Sequence, residues 1–161
     1  MSSDASYVLS KIADCASCQT DKGELARVAV EAIRDRLSQA NWVVVYWLEG
    51  DTLVLGPYLG APTEHIRIPV GTGVCGTAVA EGRDQIVPDV RARANYLACS
   101  STTRSEIVVL VRSHGKIVGQ IDLDRDQVDA FSRDDHAFLT LVAGALGSLL
   151  DIQAGDTGPK A

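Results

Sequence analysis

Apolar residues recur at Val8, Leu9, Ile12 and Ala16, a helical spacing that predicts a first helix over residues 5–19. After Gly23 the pattern returns in Glu24–Ala40, which sets Leu25, Val28, Ala29, Ala32, Ile33 and Leu37 on one face. The period then changes. Asn41–Leu48 and Asp51–Leu59 are rich in β-branched and aromatic residues and predict a hairpin about Glu49 and Gly50. His65–Val70 reads as a third strand ended by Gly71, followed by a short helix from about Cys75 to Glu81 that stops at Gly82. Asp84–Val90 is a brief strand closed by Pro88. Residues 89–104 keep no period and read as a long loop, a kind that is usually functional inside a compact domain.

Ser105–Ser113 and Lys116–Asp124 form a second hairpin about Ser113–Gly115. A last helix runs over residues 132–152, with Ser132 as N-cap and Asp134 and Asp135 in its first turn. Residues 153–161 are small and polar and are expected to form a disordered tail. This order predicts one α+β domain over residues 1–152, an antiparallel sheet with helices mainly on one face. A chain of 161 residues is long enough to bury a proper core around it.

Composition narrows the function classes. Hydrophobic residues make up 46% and charged ones 22%, an ordinary globular balance, and the net charge is −6. An acidic chain with scattered Lys and Arg argues against a nucleic-acid or anionic-membrane partner. Met1–Asp4 carries no basic-then-apolar secretion pattern, and no apolar run is long enough to span a bilayer, so a cytoplasmic location is expected. In a reducing compartment Cys15, Cys18, Cys75 and Cys99 are not expected to form a disulfide framework. They are either small packing residues or redox-active thiols.

Two places on the chain carry candidate chemistry. In "GQIDLD" the carboxylates Asp122 and Asp124 lie two apart on a strand and share a face. With Ser113–Gly115 as the turn, Glu106 is expected opposite Asp122, with Asp124 just beyond. Such a patch is either a solvated strand end, a site for an ammonium group or a metal, or a source of a proton through a raised carboxyl pKa. The second place is thiol chemistry. Cys75 stands among Gly71, Gly73 and Gly76 at a helix N-terminus, where oriented N–H groups favour the thiolate. Cys99 lies among small hydroxylated residues in the long loop, five residues before Arg104.

Cys15 and Cys18 form a C-x-x-C, but on a helix and without a second pair at zinc spacing, so helix packing is the expected role. His65, His114 and His136 share no short spacing; His114 is expected in an exposed turn and His136 on a helix surface. No P-loop, G-x-S-x-G or H-E-x-x-H motif occurs. No metal site and no cofactor are expected.

Read together, "NWVVVYWLEGDTLVLGPYLG", "IRIPVGTGVCGTAVAEG", "QIVPDV", "LACSSTTRSEIV" and "GQIDLD…FSRDD" resemble the free methionine-(R)-sulfoxide reductases, enzymes built on a GAF domain. The likeness runs from about Asn41 to Leu150. It implies a six-stranded antiparallel sheet, a homodimer, and thiol-dependent reduction of free methionine sulfoxide by way of a sulfenic acid and a disulfide, renewed by thioredoxin. Cys99 would then be the attacking thiolate. Glu106, Asp122 and Asp124 would hold the amino group and assist the sulfoxide, beside Trp42 and Tyr46, and Cys75 would resolve the sulfenic acid.

The chain departs from that pattern at four points. His65 stands where the family usually has a third cysteine, ten residues before Cys75, and is expected to modulate the attacking thiol or fill the cysteine's place. Tyr96 replaces a histidine, Ser100 replaces an aspartate, and the proline usual after "SEIV" is missing. The alternative is a GAF-type module that binds a small molecule without reducing it. A cyclic-nucleotide site fits poorly: only Phe131 and Asp135 keep the expected spacing, and a phosphate would meet the carboxylates.

Overall fold

The computed structural model describes residues 3–17, 21–94, 96 and 101–155, with side chains from Ala5 to Asp151 within those ranges. Four helices, α1 (Ser3–Ala16), α2 (Lys22–Arg36), α3 (Gly73–Glu81) and α4 (Arg133–Gly155), accompany six strands. The strands are β1 (Trp42–Glu49), β2 (Thr52–Leu59), β3 (Arg67–Pro69), β4 (Gln85–Val87), β5 (Ser105–Ser113) and β6 (Lys116–Arg125). They form one sheet in the order β3-β2-β1-β6-β5-β4, and every pairing is antiparallel.

Both faces of the sheet's centre are covered, which is why β1 and β5 read as nearly unbroken apolar runs instead of alternating. One face sends Val43, Val45, Trp47, Ile107, Val109, Val111, Ile121 and Leu123 into a core with α1, α2 and α4. The other sends Trp42, Val44, Tyr46, Val108 and Leu110 against Val74, Cys75 and Ala78 of α3. The α+β sheet with helices mainly on one face is therefore as expected, and α3 alone among the four helices packs on the second face.

Two helix bounds differ from the expected ones: α1 ends at Ala16 and not at residue 19, and α2 starts at Lys22, takes Gly23 inside it and ends at Arg36 and not at Ala40. Asp21 caps α2 by accepting from the Glu24 N–H at 2.9 Å. Before α4, Ser132 Oγ accepts from the Asp135 N–H while Asp135 returns the bond to the Ser132 N–H. The C-terminal part of α4 is held by Asp151, which accepts from Ser113 Oγ and from the His114 N–H. The expected tail begins inside this helix: residues 153–155 belong to α4, and 156–161 lie outside the described residues.

Two further expectations are corrected. The third strand is shorter than His65–Val70: the Ile66 N–H turns back onto the Glu64 carbonyl, and although the Ile66 carbonyl still accepts from the Leu55 N–H, the regular ladder with β2 is confined to Arg67–Pro69. The β5–β6 register also differs. The turn is made by His114 and Gly115, both with positive φ (49° and 74°), the backbone that a tight two-residue hairpin requires. An irregularity between Val111 and Arg112 then shifts the ladder further, so Glu106 faces Asp124 and not Asp122.

Candidate active site

The site grows from three cross-strand rows on the α3 side of the sheet. Trp42, Asp124 and Glu106 form the first, Val44, Asp122 and Val108 the second, and Tyr46, Gln120 and Leu110 the third. Period-two alternation along β6 puts Gln120, Asp122 and Asp124 on this face and Ile121 and Leu123 on the other. All four polar side chains are buried: Glu106 is 3% exposed, Asp124 1%, and Asp122 and Gln120 not at all.

α3 covers this face, and its glycines explain the setting of Cys75. A Cβ on Gly76 would lie 2.5 Å from the Pro69 carbonyl oxygen, so only glycine lets the helix pack this closely on the end of β3. Gly73 opens the helix with φ of 65°, and Thr72 precedes it in extended backbone. Cys75 is thus the third residue of α3, in its first turn as expected, and is 4% exposed. Its Sγ–H donates to Glu106 Oε1 at 3.7 Å.

Burial dominates the electrostatics. Desolvation pushes Glu106 well above the usual carboxylate range, and the charges of Asp122 and Asp124 push it further. Asp124 is likewise raised, first by burial and then by Asp122, against a bond from Thr103 Oγ1 to its Oδ2 at 3.2 Å. Burial lifts Asp122 to about 6, with Glu106, Cys75 and Trp42 pulling the other way. Among the described residues none of the three enters an ion pair. The three groups titrate as a set, and their shared tendency is to keep protons.

Cys75 Sγ and one oxygen each of Glu106 and Asp122 also lie within 4.8 Å of one another. That donor set would suit a divalent ion such as zinc once the thiol and acids had lost their protons.

The structure brings together Cys75, Glu106, Asp122, Asp124, Trp42 and Tyr46 of the expected site. Tyr46 is fully buried, and its hydroxyl donates to the His65 carbonyl at 3.0 Å, which ties β1 to the segment carrying His65. Cys99 lies outside the described residues, as do Cys18 and Ser100. Described residues before and after Cys99 are hydrogen-bonded through their backbones. The Val90 N–H donates to the Arg104 carbonyl, and the Arg104 N–H to the Arg125 carbonyl. Cys15 packs against the helical core, the packing role expected of it. His114 is exposed in its turn, whereas His136 is tied through Nε2 to Asp84 at 2.8 Å instead of lying free on the helix surface.

Three contributors were not singled out from the sequence. Tyr58 stacks on Trp42 with ring centroids 4.8 Å apart and extends the aromatic wall to the surface. Thr103 supplies the bond to Asp124. Gln120 was readable in principle, because it stands two before Asp122 in the same inward alternation. Thr103 had no such signal, since only tertiary folding lays it against β6.

A curled six-stranded antiparallel sheet with three helices behind it and one across the site face defines a GAF domain, and the GAF domain family model matches residues 19–151. The free methionine-R-sulfoxide reductase of Escherichia coli is 40% identical over 116 residues, covering 72% of this chain and 70% of that protein. The free methionine-R-sulfoxide reductase of Neisseria meningitidis, solved in complex with its substrate, superposes with a TM-score of 0.86 at 32% identity, covering 95% of this chain and 92% of that one. The fRMsr of Staphylococcus aureus, also in complex with substrate, gives 0.81 at 34% identity over 91% and 95% of the two chains. The chain belongs to the free methionine-R-sulfoxide reductase family of GAF domains. Among the described residues no helix is long and apolar enough to cross a membrane.

Proposed function

We propose that this protein reduces free methionine (R)-sulfoxide to methionine, with Cys99 as the attacking thiol. The observation that carries the reading is the set of buried, proton-retaining carboxyl groups of Glu106, Asp122 and Asp124 beside the Cys75 thiol. A sulfoxide sulfur is a poor electrophile until its oxygen is protonated, and a carboxylic acid that keeps its proton near neutral pH supplies what a thiolate alone lacks. The carboxylate that does ionise in the set neutralises the substrate's ammonium group. Trp42, backed by Tyr58, offers an aromatic surface to the S-methyl end of the substrate.

The cycle balances as follows. The Cys99 sulfur attacks the sulfoxide sulfur, oxygen passes to Cys99 with a proton from the acid, and methionine leaves, so that Cys99 becomes a sulfenic acid. The Cys75 thiol then condenses with that sulfenic acid, forming a disulfide and releasing water. A dithiol protein of the thioredoxin type reduces the disulfide and regains two thiols here at the expense of its own. A homodimer working in the cytoplasm belongs to the same proposal, as does His65 acting on the attacking thiol from the position where the family usually carries its third cysteine.

Racemic free methionine sulfoxide with dithiothreitol as reductant tests the attacking half alone, since dithiothreitol can reduce the sulfenic acid directly. Methionine is expected from the intact protein, with half the racemate consumed, and none from Cys99→Ser. No methionine from the intact protein would overturn the proposal and leave a GAF domain that binds a ligand without turning it over.

A further inference from the structure

Gln120 is fully buried at the centre of the site face, yet among the described residues neither its Oε1 nor its Nε2 has a hydrogen-bond partner. Its placement is fixed on both sides, since regular pairing sets it between Tyr46 of β1 and Leu110 of β5. It projects from the same face as Asp122, about 6.7 Å along the strand at two residues' rise. A buried amide with both ends unmet is costly, and the rest of this face is apolar enough that valine or leucine would pack there instead. Such a group is retained where something brought to the site completes it.

The chemistry of the completing group follows from charge. The ammonium end of a zwitterionic substrate is served by the carboxylates, and an ion would gain little from a neutral amide. A sulfoxide is uncharged but strongly dipolar, and its oxygen is a good acceptor that becomes a better one as the S–O bond weakens. We propose that Gln120 donates from Nε2 to the sulfoxide oxygen, a second donor beside the acid, and so helps the site tell the sulfoxide from methionine. This rests on the reductase reading above and adds a substrate-contacting residue to it. A donor aimed at charge that develops during reaction is worth more in a dry site than in water.

The test compares Gln120→Met, similar in volume and without the amide, with the wild-type protein. Calorimetric titration with methionine sulfoxide and with methionine, both proteins carrying Cys99→Ser so that no sulfoxide is reduced, measures discrimination independently of turnover, and the dithiothreitol assay with Cys99 intact measures kcat/KM. Gln120→Met is expected to weaken sulfoxide binding about tenfold and lower kcat/KM by roughly ten- to a hundredfold. Methionine binding should change less than twofold. Its unliganded unfolding midpoint should equal or exceed that of the wild type, because a buried unmet amide has been removed. Equal losses for both ligands, no loss for either, or a lowered midpoint showing that the amide is satisfied internally would each overturn the inference. If the wild-type protein neither binds nor reduces the sulfoxide, the reductase reading falls first and takes this contact with it. Turnover by wild type with unchanged discrimination in the variant removes only Gln120.

Discussion

Glu106 and Asp124 stand directly opposite each other across β5 and β6, both almost fully buried, with Asp122 in the next row. Like charges so placed are destabilising unless protons are retained, and burial raises all three carboxyl groups. Each therefore binds its proton more tightly in the folded chain than in the unfolded one. Their contribution to stability is complete below the unfolded carboxylate range, about pH 4, and is lost as pH rises through the folded values, that of Asp122 at about 6. The urea midpoint of the wild-type protein should fall between pH 5 and 8, and Glu106→Gln, which fixes the neutral form, should flatten that fall. An equally steep profile in Glu106→Gln would show that the cluster is ionised without penalty.

The same set makes activity pH-dependent from the other side. If the protonated set supplies the acid, kcat with dithiothreitol should decline as pH rises past the raised carboxyl values, and Glu106→Gln should lose at least a hundredfold at every pH. A variant that kept the wild-type profile would remove Glu106 from the proton-donating set. Dithiothreitol's own thiol ionisation runs the opposite way, so the decline has to be read from saturating reductant.

Cys75 divides the cycle into two halves that can be measured separately. Its thiol is 4% exposed and bonded to Glu106, a position suited to a local partner and closed to a bulky protein reductant. Cys75→Ser is expected to keep a single turnover, and dithiothreitol-driven activity within a few-fold. Thioredoxin-driven recycling should be lost. Recycling at the wild-type rate would exclude Cys75 as the resolving thiol.

Much of the fold was legible because its signals are local. The helical spacing of Val8, Leu9, Ile12 and Ala16, the cap at Ser132 and the β-branched runs of β1 and β5 each act over a few residues, whereas the cap at Asp21 was hidden by Gly23 two residues on, which α2 takes inside it. The acidic cluster was legible through the period-two placement of Asp122 and Asp124. What the local pattern could not give was register: the two-residue turn at His114 and Gly115 and the irregularity at Val111 and Arg112 each shift the ladder, and together they move Asp124, and not Asp122, opposite Glu106. Nor could it show that Tyr46 would bond the His65 carbonyl, because 19 residues and the whole of β2 separate them along the chain. Site and fold meet in the choice of buried polar residues, where the sequence breaks the rule for a sheet interior.

The three donors Cys75, Glu106 and Asp122, within 4.8 Å of one another, make metal dependence a direct question. Every step of the proposed cycle uses thiols and carboxyl groups. Exhaustive dialysis against a chelator should therefore leave dithiothreitol-driven turnover within twofold. A large loss restored by one divalent ion would assign these side chains to a metal and remove them from the acid's role.

Two glycines of α4 separate packing from helix propensity. A Cβ on Gly147 would fall on the Arg112 carbonyl of β5, beside the irregularity that helps set the register of Glu106, whereas one on Gly144 would meet nothing within 4 Å. Gly144→Ala should stabilise by up to about 1 kcal/mol through helix propensity alone. Gly147→Ala should destabilise by roughly 1–3 kcal/mol, because backbone, not a flexible side chain, has to yield. It should also lower turnover, since displacing β5 moves Glu106 relative to Cys75, whose bond at 3.7 Å leaves little slack. Thermal midpoints of the two variants, read beside their activities, decide the matter. A Gly147→Ala protein as stable as Gly144→Ala would mean that α4 does not hold β5 in place.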